Sequence, residues 1–217
     1  MAHTRTPLDQ FRKPAGWRGR FTLWKMNREH SNLTDWGLSH VSIQEGDTIL
    51  DVGCGGGRTV SKLAARARQG KVHGIDYSPE SVAASRRKNA RAIAAGRVEI
   101  QQGSVSKLPF TDGTFDLITA VETHFFWPDL PADMREVFRV LKPGGAFIVI
   151  AEVYKGANRM AEHLAKHGAK QAGMNLLSVE EHRELFARTG YAEIQVVEEP
   201  NQEWLCGIGK KPLTTND

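Results

Sequence analysis

The chain predicts an α/β fold, a doubly wound and mainly parallel sheet with helices on both faces. Three observations carry this. Short apolar runs near residues 49–52, 71–76, 98–102 and 115–121 alternate with helix-length segments, the order expected of βαβ units. The first run breaks into I-L-D-V-G-C-G-G-G at 49–57, a strand entering a turn with almost no side chains, and a helix start follows at 58–64. The second run, K-V-H-G-I-D, closes on an acid and leads into Ser78-Pro79-Glu80, which supplies a cap, a proline at the first helical position and an acidic first turn.

The glycine turn decides what kind of ligand to expect. Gly53, Gly55, Gly56 and Gly57 permit positive φ and close approach, and a helix start behind them points backbone N–H groups at whatever the turn holds. A triphosphate loop requires Lys-Ser or Lys-Thr after the glycines, and neither is present. A dinucleotide fingerprint starting at Gly53 requires glycine at 58, which is Arg58. The pattern that remains is D-x-G-x-G-x-G, with Asp51 ahead of the first glycine. A carboxylate there repels a pyrophosphate and suits a ligand carrying an ammonium group. Asp76 stands near the roughly 20-residue interval at which a ribose-binding acid follows a Rossmann-type turn.

Residues 49–57 resemble motif I of the class I S-adenosylmethionine-dependent methyltransferases, in which the turn lies under the methionine part of the cofactor. The resemblance implies S-adenosylmethionine as cofactor and S-adenosylhomocysteine as product. It places Asp51, Gly53, Gly55 and Gly57 around the methionine part, Asp76 on the ribose hydroxyls and Tyr77 along the adenine. In the family the stretch after the third strand reads G-D-A or G-D-V before L-P-F, and its Asp bonds the adenine amino group. Here Gly103-Ser104-Val105 precedes Leu108-Pro109-Phe110. A neutral hydroxyl makes a weaker bond than a carboxylate, so a looser adenine contact is expected, shared with the Val105 N–H.

The fourth strand, 115–121, runs into Glu122-Thr123-His124-Phe125-Phe126-Trp127-Pro128-Asp129. Ligands in open α/β sheets sit outside the carboxyl ends of strands, so this segment faces cofactor and substrate. A helix over 130–140 follows, then L-K-P-G-G, where Pro143 is expected to stop the helix and the glycines to reverse the chain into strand five. That turn is a further feature of the family, and the resemblance covers residues 48–150. Ser178-Val179-Glu180-Glu181 reads as a capping box, the helix behind it ends at Gly190, and strands are expected at 192–199 and 204–210. These two strands fit the antiparallel pair that closes the family's seven-stranded sheet.

At 217 residues with 40% hydrophobic content, the chain can bury one substantial core, so one domain over 1–217 is expected. Within it, 1–40 reads as an N-terminal helical lid, 48–150 as the cofactor core, 152–177 as a substrate-side insert and 178–211 as the last helix and closing strands. No apolar run reaches the about 20 residues a membrane span needs, and the N-terminus shows no secretory hydrophobic region. Cys54 and Cys206 make no disulfide framework, so the reducing cytoplasm is the expected compartment. The net charge of +4 collects at Arg12, Lys13, Arg18, Arg20, Lys25 and Arg28, and at Arg86, Arg87, Lys88 and Arg91 on what reads as one outer helix over 81–95. Nucleic-acid binding is not expected, because no RNA-binding module accompanies these charges.

Acceptor choice should lie outside the shared cofactor half. Trp17, Phe21 and Trp24 in the N-terminal segment are candidates for a lid over an apolar substrate chamber, with covering of the sheet edge as the alternative. His163 and His167 fall at i and i+4 without an H-E-x-x-H context, so no metal site is expected. Methyl transfer from a sulfonium needs alignment and water exclusion, and a base only when the nucleophile arrives protonated. Glu122 and His124 are the base candidates, Glu122 also a candidate for the cofactor's amino group, and Tyr154 one for orienting the acceptor. Phe125, Phe126 and Trp127 are expected as apolar walls that can also attract a cation. The resulting expectation is a methyltransferase acting on a small, partly apolar acceptor at O, N, S or C by in-line displacement. The alternatives are an RNA or protein methyltransferase using the basic N-terminal arm, and a divergent non-catalytic cofactor binder, suggested by Ser104.

Overall fold

The computed structural model describes residues 31–157, 161–162 and 173–213. Seven strands form one sheet: β1 (Thr48–Val52), β2 (Lys71–Asp76), β3 (Val98–Gln102), β4 (Phe115–Val121), β5 (Leu141–Ala151), β6 (Ala192–Glu199) and β7 (Trp204–Lys210), in the order β3-β2-β1-β4-β5-β7-β6. β1 to β5 pair in parallel, while β7 runs antiparallel to both β5 and β6. The predicted sheet, including its closing hairpin, is therefore present.

Adjacent strand residues supply opposite cores, as the two-residue repeat of a strand requires. Ile49, Leu117 and Ile148 face α1 (Ser31–Leu38), α2 (Arg58–Arg66) and α3 (Pro79–Lys88), where Leu33, Val60, Leu63 and Val82 meet them. Their neighbours Leu50, Ile118 and Phe147 face α5 (Leu130–Val140) and α6 (Val179–Arg188) through Met134, Val137, Leu185 and Phe186. Each such side chain contributes roughly 1.5–3 kcal/mol through burial. Phe186 is wholly buried because Gly207 and Gly209 of β7 leave room for its ring. α1 lies against β5 and β7, its Gly37 seated on Ile150 and its Trp36 beside Trp204. The part of the N-terminal segment that is described thus covers the sheet; residues 1–30, with Trp17, Phe21 and Trp24, lie outside the described residues.

Two local expectations are corrected. The helix expected over 81–95 is two, α3 and α4 (Ala90–Ala94), broken at Asn89. The buried Asn89 amide donates to the carbonyls of Gly57 and Ser85, so this side chain is spent on joining the helix to the glycine turn. Arg86 is not part of a free basic face either, since its guanidinium donates twice to the Ile100 carbonyl of β3. Second, α5 ends at Val140 as expected, but the L-K-P-G-G stretch lies inside β5 as an irregularity in register and not as a turn between helix and strand. Gly144, at φ 79°, donates to Lys211, while Gly145 accepts from Lys211, so the last strand's extension holds the bulge in place.

The loop after β3 is clamped from α5. Glu136 accepts from the Leu108 N–H, and Arg139 donates to the carbonyls of Leu108 and Phe110 while paired with Glu136 and Asp112. This fixes the loop whose first residues, 103–105, border the candidate site.

Candidate functional site

A cleft of about 240 Å³ opens at the carboxyl ends of β1, β2 and β3 and is closed on its far side by the segment after β4. Gly53, Asp76, Tyr77, Ser104, Val105, Phe126 and Trp127 line it, all predicted site residues. A larger groove of about 550 Å³ lies at the amino ends of the strands, where Lys142 and Lys210 are paired with Asp116 and Glu193. Ligands of open parallel sheets bind at the carboxyl ends, so the smaller cleft is the candidate site.

The glycine turn has the expected shape but a different use of its backbone. Gly53, Gly55 and Gly57 all have positive φ, and Gly57 begins α2 in the left-handed region. Their N–H groups, however, are spent inside the protein. Gly53 and Cys54 donate to the Ile75 carbonyl, Gly55 to Asp76 Oδ2 and Gly57 to the Cys54 carbonyl. The N–H groups of these three glycines are therefore not directed at a ligand. The close approach that requires glycine is also to protein, since a Cβ on Gly53 would fall on Thr123 and one on Gly57 on Ser85 and Asn89.

Asp76 is buried, and each carboxylate oxygen accepts one backbone bond, Oδ2 from Gly55 and Oδ1 from Ser78, both at 2.9 Å. The Ser81 hydroxyl bonds the same carboxylate, so of its about four acceptor sites one remains for a ligand hydroxyl. Burial raises its pKa, opposed by the bonds from Ser78 and Gly55. Ser78, not Asp76, caps α3, as predicted. Asp51 lies beneath the turn at 2% exposure, outside the cleft wall, with Thr119 Oγ1 donating to it at 2.6 Å. Burial pushes its pKa up to about 7, against the Thr119 bond and with help from the charge of Asp76. Thr123 lines the cleft and was not among the residues singled out from the sequence, as it belongs to no recognisable motif. Ser104 lies on the rim, its Oγ accepting from the Ser106 N–H at 3.2 Å.

The predicted catalytic groups are mostly turned away from the cleft. His124 opens a 3-10 turn over His124–Phe126, is 2% exposed and meets His182 of α6, Nε2 to Nε2, at 3.0 Å. His182 Nδ1 lies 2.7 Å from the Ser178 carbonyl, which can only accept. His182 therefore carries its proton on Nδ1, and its Nε2 accepts from His124 Nε2–H. His124 Nδ1 is left buried without a partner. Burial holds both imidazoles below the usual histidine range, His124 further reduced by His182. Nothing in the local sequence signals His182 as a partner 58 positions away. Tyr154 is buried and its hydroxyl donates to Glu198 of β6 at 2.9 Å, so it is committed away from an acceptor; burial and Glu198 raise its pKa. Glu122 stands at φ 54°, a strained position for a non-glycine residue, and its Oε1 accepts from the Glu152 N–H at 2.5 Å. Phe125 is buried against His124 and Phe126 and does not reach the cleft, whereas Phe126 and Trp127 form its wall, Trp127 also stacking on Phe147. His163 and His167 lie outside the described residues.

Residues 50–149 match a protein family described as a methyltransferase domain. The match supports a class I S-adenosylmethionine-dependent methyltransferase. Among curated relatives, an uncharacterized methyltransferase of Bacillus subtilis, YdaC, is 31% identical over 120 residues, 55% of this chain and 64% of that protein. A demethylmenaquinone methyltransferase of Symbiobacterium thermophilum is 37% identical over 114 residues, 52% of this chain and 45% of that protein. The chain spans about half the length of the curated relatives it matches. A chain from the complex between the Haloferax volcanii Trm112 methyltransferase activator and a methyltransferase superposes with a TM-score of 0.79 at 22% identity, covering 96% of this chain and 99% of that one. At that identity the likeness concerns the fold.

The residues present fit the family's cofactor. Asp76 keeps an acceptor site for a ribose hydroxyl, the N–H groups of Gly53, Gly55 and Gly57 are given to protein rather than to an anion, and Asp51 supplies an acid below the end where an ammonium would lie. No helix among the described residues is long and apolar enough to cross a membrane.

Proposed function

We propose that this protein transfers the methyl group of S-adenosylmethionine to a small, partly apolar acceptor. The observation that carries the reading is Asp76, a buried carboxylate at the end of β2 that lines the cleft, is held by backbone bonds from Gly55 and Ser78 and a side-chain bond from Ser81, and keeps an acceptor site for a ligand hydroxyl. When bound, S-adenosylmethionine supplies a methyl group on a sulfonium that an in-line nucleophile displaces. The chain's residues would act by holding and shielding. Asp76 takes the ribose, Gly53 and the turn above Asp51 seat the methionine end, and Tyr77, Ser104 and Val105 border the adenine. Phe126 and Trp127 keep water from the transferred group.

His124 and Tyr154 are bound to other side chains, and Glu122 holds the Glu152 N–H. Neither His124 nor Tyr154 is therefore free to act as the base, and an acceptor group that is nucleophilic at neutral pH fits the cleft best. Apolar walls support a small molecule over a macromolecule, while the basic N-terminal arm of the RNA or protein alternative lies outside the described residues. The free, buried Cys54 and Cys206 suit a reducing compartment such as the cytoplasm.

Calorimetry with S-adenosylmethionine and S-adenosylhomocysteine tests the cofactor, with saturable binding expected below millimolar concentration. Radiolabelled methyl transfer to a small-molecule extract, run beside RNA and protein fractions, tests the acceptor class. Label confined to macromolecules rejects the small-molecule reading.

A further inference from the structure

We propose that Ser104 makes the base end of the cleft tolerant of the group at the purine 6-position, so that 6-amino and 6-oxo nucleosides are separated less than an acid there would separate them. This rests on the cofactor assignment above. The placement of the base follows from the strand order. β3, β2 and β1 stand side by side, and their carboxyl ends present residues 103–105, Asp76 and Gly53 to the cleft in that order. With a ribose hydroxyl on Asp76, one end of the ligand extends over the β1 turn and the other over the end of β3. The β1 side lies above the buried Asp51 and suits a cationic end. A neutral planar base then occupies the β3 side, between Tyr77 and Val105.

Of residues 103–105, Ser104 alone carries a polar side-chain atom. The bond from Ser106 N–H uses one lone pair of its Oγ and leaves the hydroxyl proton and a second lone pair. By rotating about its Cβ–Oγ bond, this hydroxyl accepts from a 6-amino group or donates to a 6-oxo group. A carboxylate in its place only accepts, and it would repel a 6-oxo oxygen. The neighbouring Val105 N–H donates to no acceptor among the described residues. It favours the unprotonated N1 of a 6-aminopurine over the N1–H of a 6-oxopurine, so the preference for adenine narrows without disappearing.

The test is calorimetric affinity of the full chain for S-adenosylhomocysteine and S-inosylhomocysteine, in the native protein and in Ser104→Asp. An aspartate can also accept from the Ser106 N–H, so the loop geometry is retained, and thermal melting verifies that the variant is folded. The ratio of the two dissociation constants is expected to rise by about tenfold or more in Ser104→Asp, the difference between a neutral and a charge-assisted bond. A smaller rise overturns the proposal while leaving the cofactor assignment intact. Failure of the native protein to bind either ligand at millimolar concentration removes the cofactor assignment, and this inference with it.

Discussion

The two halves of the cleft use their polar residues in opposite ways. At the ends of β2 and β3, Asp76 and Ser104 line the cleft with hydrogen-bonding capacity to spare. At the ends of β4 and β5, the groups of greatest chemical promise are joined to other protein groups: His124 to His182, Tyr154 to Glu198 and Glu122 to the Glu152 N–H. What faces the cleft from that half is Phe126 and Trp127. The contrast teaches that a titratable residue beside a binding strand is not yet a catalytic one. In a packed interior an ionisable side chain is stable when paired, and pairing removes it from chemistry.

The sharpest way to break this contrast is at Asp76. Asp76→Ala removes the charge-assisted bond to ribose, worth about 1.5–3 kcal/mol, so affinity for S-adenosylhomocysteine should fall about 10- to 100-fold by calorimetry. Unchanged affinity would show that the ribose lies elsewhere. Next comes the histidine pair. His182→Ala strands the His124 N–H in the interior and should cost about 2 kcal/mol in denaturant unfolding, while the double change His124→Leu with His182→Leu should recover most of it. That double variant is also expected to retain methyl transfer with an unaltered pH profile. A folded double variant without activity would make His124 the base and erase the contrast.

Asp51 gives a pH-dependent test. Its folded pKa of about 7 stands above the ordinary 3.8, so between those values the folded chain keeps a proton that the unfolded chain has released. Its contribution to stability is therefore full below about pH 4 and is lost as pH rises through about 7. Relative to the native protein, Asp51→Asn should gain stability progressively from pH 5 to pH 8 in thermal melts. A constant difference across that range would mean that Asp51 does not titrate there. The two histidines act in the other direction. Their lowered pKa values make the unfolded chain the greater proton binder below about 6.5, so their contribution declines on acidification. The smallest effect is expected from Tyr154→Phe, which loses the bond to Glu198 and should cost about 1 kcal/mol in stability with kcat unaltered. A large loss of kcat would return Tyr154 to the acceptor's side.

The cofactor half was legible because its signals are local. A strand, a positive-φ turn and a helix start follow one another in Ile49 to Arg58, and Asp76 ends the next strand, so spacing alone brings them together in a parallel sheet. The closing hairpin was legible for a similar reason, from alternation and a capping box at Ser178. Where the reading departed from the structure, the deciding partner lay far along the chain or outside any motif. Asn89 breaks its helix to reach Gly57, Lys211 draws Gly144 and Gly145 into β5, and His182 claims His124.

The sequence by itself determined the sheet and the order of its helices, because strand periodicity and turn chemistry act over a few residues. Only the tertiary structure decided which way the polar groups face. The N–H groups of Gly53, Cys54, Gly55 and Gly57 are taken by Ile75, Asp76 and Cys54, while His124 is held by His182 and Tyr154 by Glu198. A buried donor or acceptor takes the nearest partner that packing supplies, and that partner is fixed by three-dimensional proximity, which spacing along one strand or helix does not encode.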